Sequence, residues 1–386
     1  MLVRSLAPEP VDRAALDAVR APFAAYAERT GALWTDAPTL QPLSLLLDLA
    51  GEAMRPRLFA VQADGGEELA LRPDFTIPLA RAHIASGEGE ARWLYEGPAF
   101  LVAAPGSGRS SEFLQVGVEA FGSPADPVEE DAEMAALAWA AAKAGGRGDL
   151  SMRFGDVGLF GDLLQALGLP ETVRSRLARA FAAGRPMRAE LARLTDAPAL
   201  PEGEGRLARL LTDLPEAEAA GVLEELWRLA GIQPVGGRGA GEIVHRLAER
   251  AQAASGPRLS AAEAELIVRY LRISAPPAQA LDAAQAIARE AGGGLDPRLE
   301  AWARRLKSLN AAGAPADRLT LDPGFVRPFG YYDGVLFEVV SAGLASDAPV
   351  AAGGRYDGLI ARLGGAPQPA VGFMVRPGRA WRDAPK

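Results

Sequence analysis

The run Gln115-Val-Gly-Val-Glu-Ala-Phe121 sets a carboxamide and a carboxylate on either side of a glycine at intervals of two. In a strand, side chains alternate, so Gln115, Gly117 and Glu119 share one face while Val116, Val118 and Ala120 share the other. An amide and an acid flanking a glycine can form the floor of a site for a polar, cationic ligand, with Gly117 leaving room above it. A solvated face of an antiparallel sheet has the same alternation, and the pattern alone leaves both readings open.

Three more segments carry usable chemistry. Leu71-Arg-Pro-Asp-Phe-Thr-Ile-Pro78 is a charged, proline-rich turn in which Asp74 and Thr76 are suited to cap a helix. Phe325-Val-Arg-Pro-Phe-Gly-Tyr-Tyr-Asp-Gly-Val-Leu-Phe-Glu338 places Arg327, Tyr331 and Tyr332 just ahead of a strand. If that stretch is extended, adjacent tyrosines point to opposite faces and only one reaches a pocket. Ala351-Ala-Gly-Gly-Arg-Tyr-Asp-Gly358 is glycine-rich but lacks the Lys-Ser/Thr of a phosphate loop and the spacing of a dinucleotide turn. His83 and His245 have no motif around them and read as surface or packing residues. Glu129-Glu-Asp131 reads as a solvated run starting a helix over Glu133–Lys143, where acids favour the N-terminus.

The elements that must position these residues change character along the chain. A helix is expected from about residue 10 to 30, where apolar residues recur at three and four through Val11–Tyr26. Arg57–Gln62 and Glu68–Arg72, around the turn Asp64-Gly65-Gly66, form an expected hairpin. Trp93–Val102 and Glu112–Phe121 are expected strands joined by Ala104–Ser111, which points to an antiparallel sheet. After Gly155 the sequence is helical in nine segments, among them Glu204–Leu214 and Glu242–Ala254, separated by Gly/Pro punctuation. Strand-like text returns at Arg318–Asp322 and Gly334–Val340. The expected organisation is α+β, with a core in two parts, 1–155 and 317–386, and an all-helical insertion over 156–316.

Composition excludes several classes of function. The 386 residues include no cysteine and two histidines, so thiol catalysis, disulfides, thiolate zinc and histidine-rich metal sites are ruled out. The 43 glycines and 30 prolines stay below the roughly 25–30% at which disorder becomes the default. No secretory leader and no apolar run of membrane-spanning length is present, so a cytoplasmic protein without a membrane contact is expected. A net charge of −8 argues against gripping a nucleic-acid backbone.

Five ordered motifs resemble the core of histidyl-tRNA synthetase, a class II aminoacyl-tRNA synthetase. They are Leu71–Thr76, Phe113–Gly122, Val326–Glu338, Gly353-Gly-Arg-Tyr-Asp-Gly-Leu359 and Pro369-Ala-Val-Gly-Phe373. Within that superfamily the sequence looks most like a catalytically silent branch, the regulatory subunits of ATP phosphoribosyltransferase. The resemblance implies an antiparallel sheet with flanking helices. It also implies an amino-acid site in which Gln115, Thr76 and Asp74 receive the α-ammonium. Glu119, Tyr332 and Tyr356, beside Tyr331, then meet an imidazole, and Arg327 lies near the carboxylate.

Departures from the synthetase pattern set the functional expectation. Leu101 stands where the family carries an arginine that holds ATP, Ala103 replaces an acid, and Pro105-Gly-Ser-Gly-Arg109 is not a basic loop. Asp74 replaces a glutamate, and Pro328-Phe-Gly330 replaces a Gly-Leu-Asp-like stretch. Phosphoryl-group chemistry needs fixed positive charge where negative charge develops, so adenylation is expected to be absent. The third class motif retains an arginine near Arg379, after which no anticodon-binding domain and no tRNA recognition are expected. The resemblance thus implies a regulatory subunit with no catalytic residue, metal or cofactor of its own. It would form a self-dimer and assemble with the short-form ATP phosphoribosyltransferase catalytic subunit in a hetero-octamer, with L-histidine as effector. A truncated synthetase-like enzyme and a stand-alone histidine-binding module are the alternatives.

Overall fold

The computed structural model describes residues 7–104, 106–122, 126–195, 216–229, 258–327 and 330–382. His245 and the helices expected over Glu204–Leu214 and Glu242–Ala254 lie outside the described residues. One compact unit comprises Met1–Leu169, Arg174–Arg185 and Leu266–Lys386, and a second comprises Pro170–Val173 and Pro186–Glu265.

In the first unit, helix α1 (Arg13–Thr30) begins where the Asp12 side chain accepts the Ala15 amide at 2.9 Å. It buries Val19, Phe23 and Tyr26. Strand β1 (Leu33–Trp34) follows, then β2 (Leu40–Pro42), α2 (Leu43–Ala50), β3 (Ala60–Gln62) and β4 (Glu68–Leu71). The expected hairpin is present, with Ala60 opposite Ala70, and β2 joins it in a small antiparallel sheet ordered β2-β4-β3.

Helix α3 (Thr76–Ser86) leads to β5 (Ala91–Phe100) and β6 (Glu112–Phe121), which pair antiparallel along their whole length. Helix α4 (Pro127–Ala144) and β7 (Leu150–Asp156) come next, and after the helices β8 (Leu319–Leu321), β9 (Val335–Ser341), β10 (Ala351–Arg355) and β11 (Ala370–Val375) complete the sheet. Its order is β1-β5-β6-β11-β10-β9-β7-β8. The central strands are antiparallel, while β1 and β8 pair in parallel at the two edges. The last three strands thus lie between β6 and β7, so this α+β sheet needs both ends of the sequence.

Two sequence expectations change here. Glu130 and Asp131 are buried rather than solvated, because α4 starts six residues earlier than Glu133 and turns them toward arginines. Arg355 donates Nε to Asp131 at 2.7 Å and Nη2 to Glu130 at 3.0 Å, Arg305 donates to Asp131 at 2.8 Å, and Arg92 donates to Glu130 at 3.1 Å. The helices Pro277–Glu290 and Asp296–Ala311, read from sequence as part of the 156–316 segment, belong to the sheet-bearing unit. Trp302 on the latter donates its indole N–H to Asp156 at 2.8 Å. His83 is a packing residue, 1% exposed and stacked on Phe121 with ring centroids 4.6 Å apart.

The second unit contains the helices Met187–Thr195 and Glu216–Leu229. Leu191 and Leu194 on the first and Ala219 and Leu223 on the second are buried, at three- and four-residue spacing. Among the described residues no helix is long and apolar enough to cross a membrane.

Candidate functional site

Strand β6 is buried on both faces: Gln115 is 3% and Glu119 1% exposed, and Val116 and Val118 are fully covered. The solvated-face reading is therefore wrong. The room left by Gly117 is filled by the protein itself. A Cβ there would lie 2.3 Å from the Tyr95 ring and 2.4 Å from the Phe373 carbonyl, so the glycine admits Tyr95 rather than a ligand.

A cavity of about 550 Å³ opens beside this strand, and Asp74, Thr76, Gln115, Arg327, Tyr331 and Tyr332 line it. That is in the size range of small-molecule sites. The segment carrying both tyrosines is turned, not extended: their rings lie 4.7 Å apart and both face the cavity. The expectation that only one could reach a pocket fails for this reason. Asp333 fixes the turn by accepting the amides of Asp357 at 3.0 Å and Gly358 at 2.6 Å.

Glu119 and Tyr356 stand one layer behind the cavity. Thr76 donates its hydroxyl to Glu119 Oε1 at 2.7 Å, and the Tyr356 hydroxyl donates to Oε2. Glu119 faces Gly372 across the β6–β11 pairing. A Cβ at 372 would sit 1.8 Å from Oε2, so only glycine leaves space for the carboxylate. Thr76 thus serves Glu119: the N-cap of α3 is Phe75, which makes no side-chain cap bond of its own. Asp74 receives the Tyr331 hydroxyl on Oδ2 at 3.3 Å. Its Oδ1 and the Gln115 Oε1 are buried without a hydrogen-bond partner among the described residues.

Burial sets the electrostatics of this end. It pushes the Glu119 carboxyl up to about 8, against the hydroxyls of Tyr356 and Thr76. It raises Asp74 to about 6, partly offset by the α3 amides of Ile77 and Thr76, the Tyr331 hydroxyl and Arg327. Tyr332 rises to about 12 for the same reason, with Arg327 pulling it down. Arg327 itself pairs with Glu338, which also accepts from Arg153 Nη2 at 2.8 Å. Arg153 and Glu338, both lining the cavity, were not singled out from sequence. The available signal was an arginine inside the apolar strand Leu150–Asp156, which needs a buried partner.

The other end of the cavity is cationic. Leu101 and Ala103 line it as neutral groups, but so do Arg57, Arg109, Arg376 and Arg379. The loss of one charge at Leu101 therefore does not empty this end of positive charge. Arg376 and Arg379 are paired with Glu9, and Arg109 with Asp347. The arrangement as a whole offers unpartnered oxygen acceptors for an ammonium, hydroxyls for a polar ring, and guanidiniums for a carboxylate. Among the described residues no group of acids and histidines could hold a metal ion.

A family model described as histidyl-tRNA synthetase matches residues 6–254 and 220–379. The chain is 38% identical over 344 residues to an ATP phosphoribosyltransferase regulatory subunit of Mesorhizobium japonicum, covering 87% of this chain and 89% of that one. It is 36% identical over 356 residues to the protein of the same name from Chelativorans sp., covering 91% and 92%. A crystal structure titled as an ATP phosphoribosyltransferase regulatory subunit/histidyl-tRNA synthetase from Bacillus halodurans aligns with a TM-score of 0.61 at 23% identity, covering 96% of this chain and 78% of that one. That last likeness concerns the fold. With its histidyl-tRNA synthetase-like sheet and two curated relatives matched over most of their length, the chain belongs to the ATP phosphoribosyltransferase regulatory subunit family.

Proposed function

We propose that this chain is a non-catalytic subunit that activates the short-form ATP phosphoribosyltransferase catalytic chain and makes it responsive to histidine. The partner joins ATP to phosphoribosyl pyrophosphate, while this chain binds the end product in the cavity beside β6. The observation that carries the reading is the pair of buried, unpartnered acceptors, Asp74 Oδ1 and Gln115 Oε1, at the wall of a cavity that Arg327 also lines. A zwitterionic amino acid supplies the missing donors and a carboxylate for the cation. Asp74, Gln115 and Thr76 would take the ammonium. Tyr331 and Tyr332 would meet the side-chain ring, with Glu119 and Tyr356 setting polarity from behind, and Arg327 would face the carboxylate. The assembly would be a hetero-octamer containing self-dimers joined through their N-terminal parts, cytoplasmic and without tRNA. Feedback then requires histidine to favour one arrangement of the complex by about 1–3 kcal/mol.

Calorimetric titration with histidine tests the pocket. Glu119→Ala and Tyr332→Phe should each weaken binding at least about tenfold, about 1.4 kcal/mol; unchanged affinity in both would place histidine elsewhere. The arginines that line the cavity favour a second reading, a synthetase-like enzyme that still forms an aminoacyl-adenylate. Histidine-dependent pyrophosphate exchange into ATP discriminates: the regulatory reading expects none, and turnover would establish the enzyme.

A further inference from the structure

In strand β7, Arg153 stands between Met152 and Phe154, which are fully buried on one face, so Arg153 and Gly155 share the other. Both serve the segment that bears Arg327. A Cβ at 155 would lie 2.3 Å from the Phe325 carbonyl, so the glycine lets that segment pass close over the strand. The Arg153 guanidinium carbon sits 4.0 Å from the centre of the Phe325 ring, a cation–π contact.

Arg153 also lies directly opposite Glu338 in the antiparallel β7–β9 register and donates Nη2 to its Oε2 at 2.8 Å. The other oxygen of Glu338, Oε1, accepts Arg327 Nη1. Arg153, Phe325, Arg327 and Glu338 all line the cavity. One carboxylate therefore serves two guanidiniums, and each arginine keeps its Nε buried with no hydrogen-bond partner among the described residues. Burial raises the nearby Asp322 carboxyl and Arg153 pulls it back down, but the Asp322 Oδ1 accepts the Gly324 amide of its own loop at 3.1 Å. A desolvated guanidinium whose charge is only half matched attracts a further anion strongly. Without Arg153, Glu338 would be free to give both oxygens to Arg327 in the forked pair that a guanidinium and a carboxylate prefer.

We infer that Arg153 is a positioning residue for the carboxylate of the bound amino acid: by holding one oxygen of Glu338 it keeps Arg327 incompletely paired and leaves that charge available to the cavity. The inference rests on the histidine reading of this site and adds to it the pair of residues that sets the strength of carboxylate recognition. Arg153 acts through Glu338 and Arg327, so its effect is confined to ligands that carry a carboxylate.

The test compares histidine with histamine, which has the same ammonium and imidazole but no carboxylate, by calorimetric titration of the full chain. Native protein should favour histidine at least about tenfold. Arg153→Met keeps an apolar stem against Phe325 and leaves no carboxylate unpaired. Its affinity for histidine should fall at least about fivefold while that for histamine stays within about twofold of native. Arg153→Lys, which keeps the charge, should recover most of the loss. Glu338→Gln should move the other way, raising the preference for histidine over histamine at least about twofold. Equal losses for the two ligands in Arg153→Met, or an unchanged preference, overturn the positioning role while leaving the histidine site in place. A native chain that binds no histidine overturns the histidine reading and this inference with it. Should Arg153→Met fail to fold, Glu338→Gln decides alone: a preference no greater than native contradicts the inference.

Discussion

Thr76 and Glu119 are joined by a 2.7 Å hydrogen bond that ties the first turn of α3 to the middle of the sheet. The threonine lines the cavity and the glutamate does not, so the bond carries the state of a buried acid to the wall that a ligand touches. Replacing Thr76 with valine keeps the shape and removes the donor. It should cost about 1–3 kcal/mol, the penalty for a buried polar group left unsatisfied, and Thr76→Ser should restore most of it. Urea denaturation of the three proteins measures both.

Glu119 also predicts a pH dependence of stability. Burial raises its folded value to about 8, from 4.5, so the fold holds the proton more tightly than the unfolded chain. This contribution is complete at the acidic end and is lost as the pH rises toward 8, with a slope of up to about 1.4 kcal/mol per pH unit. Asp74, raised to about 6, adds the same sign at lower pH. Glu119→Gln cannot titrate and should flatten the decline above pH 6. Chemical denaturation of both proteins across that range will show whether the slopes differ; parallel curves would mean that Glu119 is ionised throughout.

Gly372 should tolerate no side chain. A methyl at that position would meet Glu119 Oε2 at 1.8 Å, and neither the strand nor the carboxylate can withdraw without breaking the bonds from Thr76 and Tyr356. Gly372→Ala should destabilise the protein by about 1–3 kcal/mol, the usual cost of overpacking, and should also weaken histidine binding. Thermal melting and titration on the same sample test the pair of effects.

Arg355 holds Glu130 and Asp131 together in the buried network under α4. Arg355→Met would leave Glu130 with Arg92 and Asp131 with Arg305, each missing one partner. Breaking a buried ion pair from one side costs about 3–5 kcal/mol, so the substitution should lower the denaturation midpoint sharply. Removing the exposed Arg228, paired with Glu225 on its own helix, should change stability by less than about 1 kcal/mol. A comparable loss in the two variants would refute the assignment.

The parts legible in the sequence were those with a period. Gln115 to Phe121 alternates cleanly, and β5 and β6 lie within two residues of where the pattern put them. Strands β10 and β11 carried no such signal, because Gly353, Gly354 and Gly372 have poor strand propensity and are present for close packing, not for shape. Tyr331 and Tyr332 were misplaced because a turn was read as extended backbone. Glu130 and Asp131 looked solvated because their arginine partners are far away in sequence, at 305 and 355. Glu9 and Arg376 are 367 residues apart, and no local pattern announces such a pair. Charge pairing across the whole chain is where sequence reading fails first, since it depends on a topology that interleaves the two ends.

Phosphoribosyl transfer by a short-form ATP phosphoribosyltransferase catalytic chain, assayed alone, with this protein, and with this protein plus histidine, tests the central claim most directly. The account predicts that the rate rises when this chain is added and falls when histidine follows, and that Asp74→Asn keeps the activation while losing the histidine response. A rate indifferent to this chain, or a histidine response undiminished in Asp74→Asn, would contradict it.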